Sequence, residues 1–139
     1  MNYLLDTCVL SEFTRRLPSE KVIGWMREVD EERLYLSAIT VGEIQRGVER
    51  LPESQRKTEL QVWLNTGLVE RFGARILPLD TDTMILWGSL TARLEASGQP
   101  RPVMDTLIAA SALRNNLIIA TRNLADYRLC GVQLINPWE

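Results

Sequence analysis

Three carboxylates of this 139-residue chain, Asp6, Glu43 and Asp105, each stand where a short apolar run hands over to polar residues. Carboxylates gathered in one cleft repel one another unless a dication neutralises them, and oxygen-only ligands favour hard ions such as Mg²⁺ or Mn²⁺. The chain contains no histidine. That absence removes Ser-His-Asp and Cys-His nucleophilic catalysis and the usual zinc sites in one step. Any chemistry then falls to carboxylates, hydroxyls, thiols, Arg or Lys.

Each acid also has a structural explanation. Asp6, in Leu4-Leu5-Asp6-Thr7, can cap a helix beginning near Val9. Glu43 completes Thr40-x-x-Glu43, the spacing of a capping box in which Glu folds back onto the Thr amide. Asp105, in Pro102-Val103-Met104-Asp105-Thr106, opens an apolar helix whose positive end suits an acidic N-cap. A further polar group, Asn123, lies in Thr121-Arg122-Asn123-Leu124-Ala125-Asp126-Tyr127, just past another apolar run. Individually these explanations suffice. Together, these polar groups occupy strand exits and helix starts that point to one edge, which favours a common site.

The elements that must position them are short. Tyr3–Leu5, Leu34–Leu36, Ile76–Leu79, Leu117–Ala120 and Val132–Ile135 read as strands, mostly apolar blocks with little alternation, as in a sheet covered on both faces. Between them, Val22, Ile23, Met26 and Val29 repeat at helical spacing after a Ser19 cap. Ile44, Val48 and Leu51 mark a second helix ended by Pro52, and Leu60, Trp63, Leu64 and Gly67 a third. A fourth runs from Thr83 to Ala96 and closes at Gly98; a fifth carries Ile108, Ala109, Ala112 and Leu113 and ends near Asn115-Asn116. Strands alternating with helices predict an α/β fold: a three-layer α/β/α sandwich around a largely parallel five-stranded sheet, with ligands beyond the carboxyl ends of the strands. No repeat or linker divides residues 1–139, so one domain is expected.

Composition bounds the rest. Hydrophobic residues make up 45% and charged residues 24%, ordinary for a globular protein. No apolar run approaches the ~20 residues of a membrane span. Two cysteines, Cys8 and Cys130, without metal-type spacing and behind an N-terminus unlike a signal peptide, suggest a reduced, cytoplasmic protein. Net charge is −2, so no basic field advertises nucleic acid. The basic residues are nearly all Arg, with Lys21 and Lys57 the only lysines. Arg suits phosphate, and its excess equally fits the codon bias of a GC-rich genome.

The segments Leu4-Leu5-Asp6-Thr7, Ser37-Ala38-Ile39-Thr40-Val41-Gly42-Glu43, Asp105-Thr106-Leu107-Ile108-Ala109-Ala110 and Thr121-Arg122-Asn123-Leu124-Ala125-Asp126-Tyr127 resemble the PIN-domain signature. The closing Val132-Gln133-Leu134-Ile135-Asn136-Pro137-Trp138 is similar to the ending of FitB-like VapC toxins. The resemblance runs through the whole chain in order and spacing. It implies a Mg²⁺- or Mn²⁺-dependent endoribonuclease, the toxin half of a type II toxin–antitoxin pair. It further implies a homodimer that assembles with a small cognate antitoxin, and an RNA substrate, tRNA included. Asp6, Glu43 and Asp105 fall on the family's acidic, metal-holding positions. Asn123 joins the catalytic set at a place where some members carry a fourth acid. Cys8 stands where Asn is more usual.

The chemistry agrees with that resemblance. Asp6 and Asp105 are expected as primary ligands, with Glu43 binding the ion or its water and assisting proton removal. Thr7 and Thr121 can orient water or phosphate, and Arg122 can touch the RNA backbone or simply lie in solvent. Asp126, at helical spacing, is expected to face solvent, so the charge count favours one firmly held ion. Two alternatives remain open: a catalytically silent binding module of the same fold, and a metal-dependent DNA nuclease. A receiver-like phosphatase domain fits poorly, because neither lysine lies on the last strand.

Overall fold

The computed structural model describes residues 1–139. Its five strands are β1 (Tyr3–Leu5), β2 (Leu34–Ser37), β3 (Ile76–Leu77), β4 (Ile118–Ala120) and β5 (Leu134–Ile135). They lie in the order β3-β2-β1-β4-β5, every pairing parallel. The chain leaves β1 towards β2 and β3 on one side, then returns to lay β4 and β5 on the other. The seam between β1 and β4 is therefore the topological switch point, where α/β sheets open a crevice at their carboxyl edge. Asp6 and Thr121 are the first residues past those two strands, and the Asp6 amide bonds the Ala120 carbonyl across the seam at 3.0 Å.

Both faces of the sheet are covered, which explains the weak alternation of the strand sequences. Tyr3, Leu5, Leu34, Leu36 and Ala120 face a core containing Val9, Leu10, Val22, Ile44, Val48, Leu64, Leu68 and Phe72. Those partners come from α1 (Thr7–Ser11), α2 (Glu20–Glu28), α3 (Ala38–Glu49) and the segment beyond α4 (Gln55–Val62). Leu4 and Ile119 point to the opposite core, with Leu90 and Leu94 of α5 (Thr81–Ala96), Ile108, Ala109 and Ala112 of α6 (Val103–Asn115), and Tyr127 of α7 (Leu124–Tyr127). The small residues Ala109, Ala110 and Ala112 are fully buried, allowing α6 to pack closely.

Element ends have local causes. Ser19 caps α2 by accepting from the Val22 amide, and Asp80 caps α5 by accepting from the Thr83 amide. Asn116 takes a left-handed conformation (φ 55°), and the Leu117 amide reaches back to the Ala112 carbonyl at 2.9 Å. This closing motif absorbs Leu117, so β4 begins one residue later than the apolar run suggests. Pro78, which has no amide hydrogen to donate, follows the short β3.

Two capping assignments require correction. Helix α3 begins at Ala38, capped by Ser37 Oγ accepting from the Ile39 amide at 3.1 Å. Thr40 therefore lies inside the helix, its buried hydroxyl without a partner, and the Thr40–Glu43 capping box does not form. Ser37 wins because it is the last strand residue, with the extended backbone an N-cap needs. Helix α6 starts at Val103 behind Pro102, placing Asp105 in the first turn rather than at the cap. Both acids are thus free of the local bonds that would have explained them.

Two features lay outside the sequence reading. The third helix changes from α to π winding over Trp63–Glu70, where the ring of Trp63 lies against Gly67. Glu12 is buried, accepting from the Ser19 amide at 2.7 Å and facing Arg15 at 3.4 Å; it ties the end of the first helical segment to the start of α2.

Candidate active site

Asp6 is the centre of the site. It follows β1 in extended conformation (φ −74°, ψ 160°) and starts α1, with Oδ1 accepting from the Thr7 amide at 2.9 Å. Its Oδ2 accepts from the Thr121 hydroxyl at 2.8 Å and the Tyr127 hydroxyl at 3.3 Å. The carboxylate is 7% exposed, and these donors offset the cost of burying it.

The Thr121 hydroxyl has a defined polarity. It accepts from the Asn123 amide at 3.0 Å, so its single proton is committed to Asp6. Cys8 Sγ lies 3.6 Å from the same oxygen and accepts from the Arg122 amide at 3.5 Å; with Thr121's proton spent, Cys8 is the donor of that pair. Burial raises the Cys8 thiol above its ordinary pKa, the Arg122 amide partly opposing this and the nearby Asp6 charge adding to it. It remains a neutral thiol.

Glu43 enters from α3, half-buried, with Oε1 accepting from the Thr7 hydroxyl at 3.1 Å. Thr7 thus links the first two acids, its amide on Asp6 and its hydroxyl on Glu43. Burial pushes the Glu43 pKa up, the Thr7 bond lowers it, and the Asp6 charge raises it. Asp105 approaches from the first turn of α6. Burial first, then the charges of Asp126, Asp6 and Glu43, push its pKa up to about 6, with Arg101 pulling the other way. The Asp6 charge thus reaches both Glu43 and Asp105, and the Glu43 charge reaches Asp105. No three acidic, thiol or imidazole groups stand at metal-ligating separations, so the acids form an open cluster rather than a closed cage.

Asn123 contributes its backbone amide to Thr121, while its side chain is exposed and makes no hydrogen bond. Asp126 is exposed as expected, yet its charge acts on Asp105 more strongly than that of Asp6 or Glu43. Arg122 is exposed at the same rim, its guanidinium 4.3 Å from the centre of the Trp138 ring. Tyr127 joins the site through its hydroxyl, which nothing in its sequence surroundings marks. Desolvation, then the Asp6 charge, raise its phenol well above the ordinary value, so it stays a proton donor.

The donor set tests which ion would suit this place. Carboxylates and hydroxyls line it, imidazole is absent, and the one nearby thiol is held protonated. That set fits a hard, oxygen-seeking dication and not a thiophilic one.

The family model for the PIN domain matches residues 3–131. This chain belongs to the PIN domain family. The PIN fold is repeated in the solved structure of FitAcB from Neisseria gonorrhoeae, which matches with a TM-score of 0.93 and 34% identity over 99% of both chains. Among PIN-domain relatives, the chain is 38% identical to plasmid stability protein StbB of Pseudomonas syringae, over 98% of each protein. It is 35% identical to VapC ribonuclease Y4jK of Sinorhizobium fredii, covering 98% of this chain and 97% of that protein. It is likewise 35% identical to toxin FitB of Neisseria gonorrhoeae, over 98% of each.

Proposed function

We propose that this protein is a divalent-metal-dependent endoribonuclease acting as the toxin of a toxin–antitoxin pair. The observation that supports the reading is that the charges of Asp6 and Glu43 act on Asp105 beside the β1–β4 switch point, in a chain whose relatives include named ribonucleases and a named toxin.

Asp6, Glu43 and Asp105 would hold Mg²⁺ or Mn²⁺, which when bound supplies charge neutralisation at the phosphate and a more acidic water. The chain's own groups do the rest. Thr121, Tyr127 and the Thr7 amide fix Asp6, so the ligand does not have to be ordered on binding. Glu43, less acidic than a free glutamate, accepts the proton of the attacking water. Arg122, steadied on Trp138, offers a planar donor to an adjoining RNA phosphate. Asn123 takes part through its amide, holding Thr121.

The protein acts in the cytoplasm as a homodimer bound by a small cognate antitoxin. Apolar residues left exposed on α5 and α6, among them Ile85, Val103 and Met104, support a self-associating face. No helix is long and apolar enough to cross a membrane.

Purified protein freed of inhibitor should cleave total RNA or tRNA with Mg²⁺ or Mn²⁺ and stop with EDTA. Asp105→Asn should abolish cleavage while the fold survives. Cleavage that ignores chelator overturns the metal mechanism; a folded wild type that cleaves DNA but no RNA overturns the ribonuclease reading.

A further inference from the structure

A carboxylate has about four lone-pair positions, two on each oxygen. Asp6 uses three of them internally. Both positions on Oδ2 are filled, by the Thr121 hydroxyl at 2.8 Å and the Tyr127 hydroxyl at 3.3 Å, and one on Oδ1 by the Thr7 amide at 2.9 Å. A single position, on Oδ1, is left for an external ligand. None of the three donors is easily withdrawn. The Thr7 amide is backbone, and the Thr121 hydroxyl has in the Asp6 carboxylate, at 2.8 Å, a far stronger acceptor than the Cys8 sulfur at 3.6 Å. Tyr127 is 1% exposed, its ring held in the same apolar core as Leu4, Ile108 and Ile119.

Resting on the metal-dependent reading above, we infer that Tyr127 is a positioning residue that restricts Asp6 to one-oxygen ligation and so biases the site towards small octahedral ions over Ca²⁺. Mg²⁺ demands near-octahedral geometry at ~2.0–2.1 Å, whereas Ca²⁺ takes more oxygens at ~2.3–2.6 Å and readily accepts both oxygens of one carboxylate. With Oδ2 engaged by two hydroxyls, the two-oxygen mode that favours Ca²⁺ is closed at Asp6. The hydroxyl of Tyr127 is the element that sequence patterning does not supply, because a phenylalanine would fill the same apolar space.

The test is calorimetric titration of Mg²⁺, Mn²⁺ and Ca²⁺ into the metal-free protein, with wild type, Tyr127→Phe, Thr121→Ser and Asp6→Asn compared. Tyr127→Phe frees one position on Oδ2 and should raise Ca²⁺ affinity relative to Mg²⁺ by about tenfold, the ratio expected if the two-oxygen mode adds about 1.4 kcal/mol for Ca²⁺ alone. Thr121→Ser keeps its hydroxyl and should keep the wild-type preference. An unchanged Ca²⁺ to Mg²⁺ ratio in folded Tyr127→Phe, with binding lost in Asp6→Asn, overturns this inference and leaves the metal reading intact. Undiminished binding in Asp6→Asn overturns the metal reading itself, and this inference with it. If Tyr127→Phe does not fold, a crystal structure of the wild type with Mn²⁺ decides: one Asp6 oxygen on the ion is expected, and two would overturn it.

Discussion

The Thr7 hydroxyl donates to Glu43 Oε1 at 3.1 Å, while the amide of the same residue holds Asp6. One residue thereby sets the spacing between two acids that are 37 positions apart in the chain. Thr7→Val removes the hydroxyl and keeps the shape. Because the bond lowers the Glu43 pKa against the effect of burial, its loss should move that pKa further up. Cleavage should fall by about tenfold or more, the usual cost of losing a support behind a ligand. Carbon-detected NMR titration of the Glu43 carboxyl in wild type, Thr7→Val and Thr7→Ser checks this. A Glu43 titration that does not move in Thr7→Val would contradict the link.

Asp105 gives a pH dependence whose sign can be worked out. Its folded pKa, about 6, lies above the unfolded value of 3.8, so ionisation opposes folding. The stability tied to its neutral form is complete below 3.8 and is lost as pH rises through 6. Asp105→Asn, which stays neutral throughout, should match wild type near pH 4 in EDTA and exceed its melting temperature at pH 7. Mn²⁺ should reverse the order at pH 7 by stabilising only the wild type. Thermal melts at several pH values provide the measurement, and parallel curves for the two proteins would refute the assignment.

The two remaining polar residues of the last loop should separate by their roles. The Asn123 side chain is unbonded and exposed at the rim, so Asn123→Asp adds charge without breaking a contact and should tighten Mn²⁺ binding. Asp126→Asn should bring the Asp105 pKa down, since Asp126 exerts the largest charge effect upon it. Its effect on metal affinity should be small, because the lower Asp105 pKa leaves less proton competition for the ion and so offsets the lost attraction. Titration of Asp105 in Asp126→Asn and calorimetry of both variants test the pair. An Asp105 pKa unmoved in Asp126→Asn would show that Asp126 does not act on it and that burial, Asp6 and Glu43 suffice.

Most of the sheet was legible because each strand is a short apolar block between turn signals, and all five occur where those blocks lie. The convergence of Asp6 and Asp105 was legible for the same reason, since both stand at element boundaries that the apolar pattern fixes. Side-chain partners were not. The Thr40–Glu43 spacing matched a capping box, but the helix starts earlier, at Ala38, through Ser37, and Glu43 turns to Thr7 instead. Tyr127 reads as an apolar helix residue, and nothing local marks its hydroxyl as the partner of a carboxylate 121 positions earlier. The change to π winding at Trp63 leaves no separate periodicity to detect over eight residues.

The switch point also has a consequence in time. Asp6 is synthesised 115 positions before Thr121 and 121 positions before Tyr127, the two residues whose hydroxyls fix its carboxylate. At roughly 5–20 residues per second, the 115 positions between Asp6 and Thr121 take on the order of ten seconds to translate. Until β4 has emerged and paired with β1, the nascent chain has its acids but not their arrangement. A message cut short before Thr121 would therefore encode a protein lacking this centre.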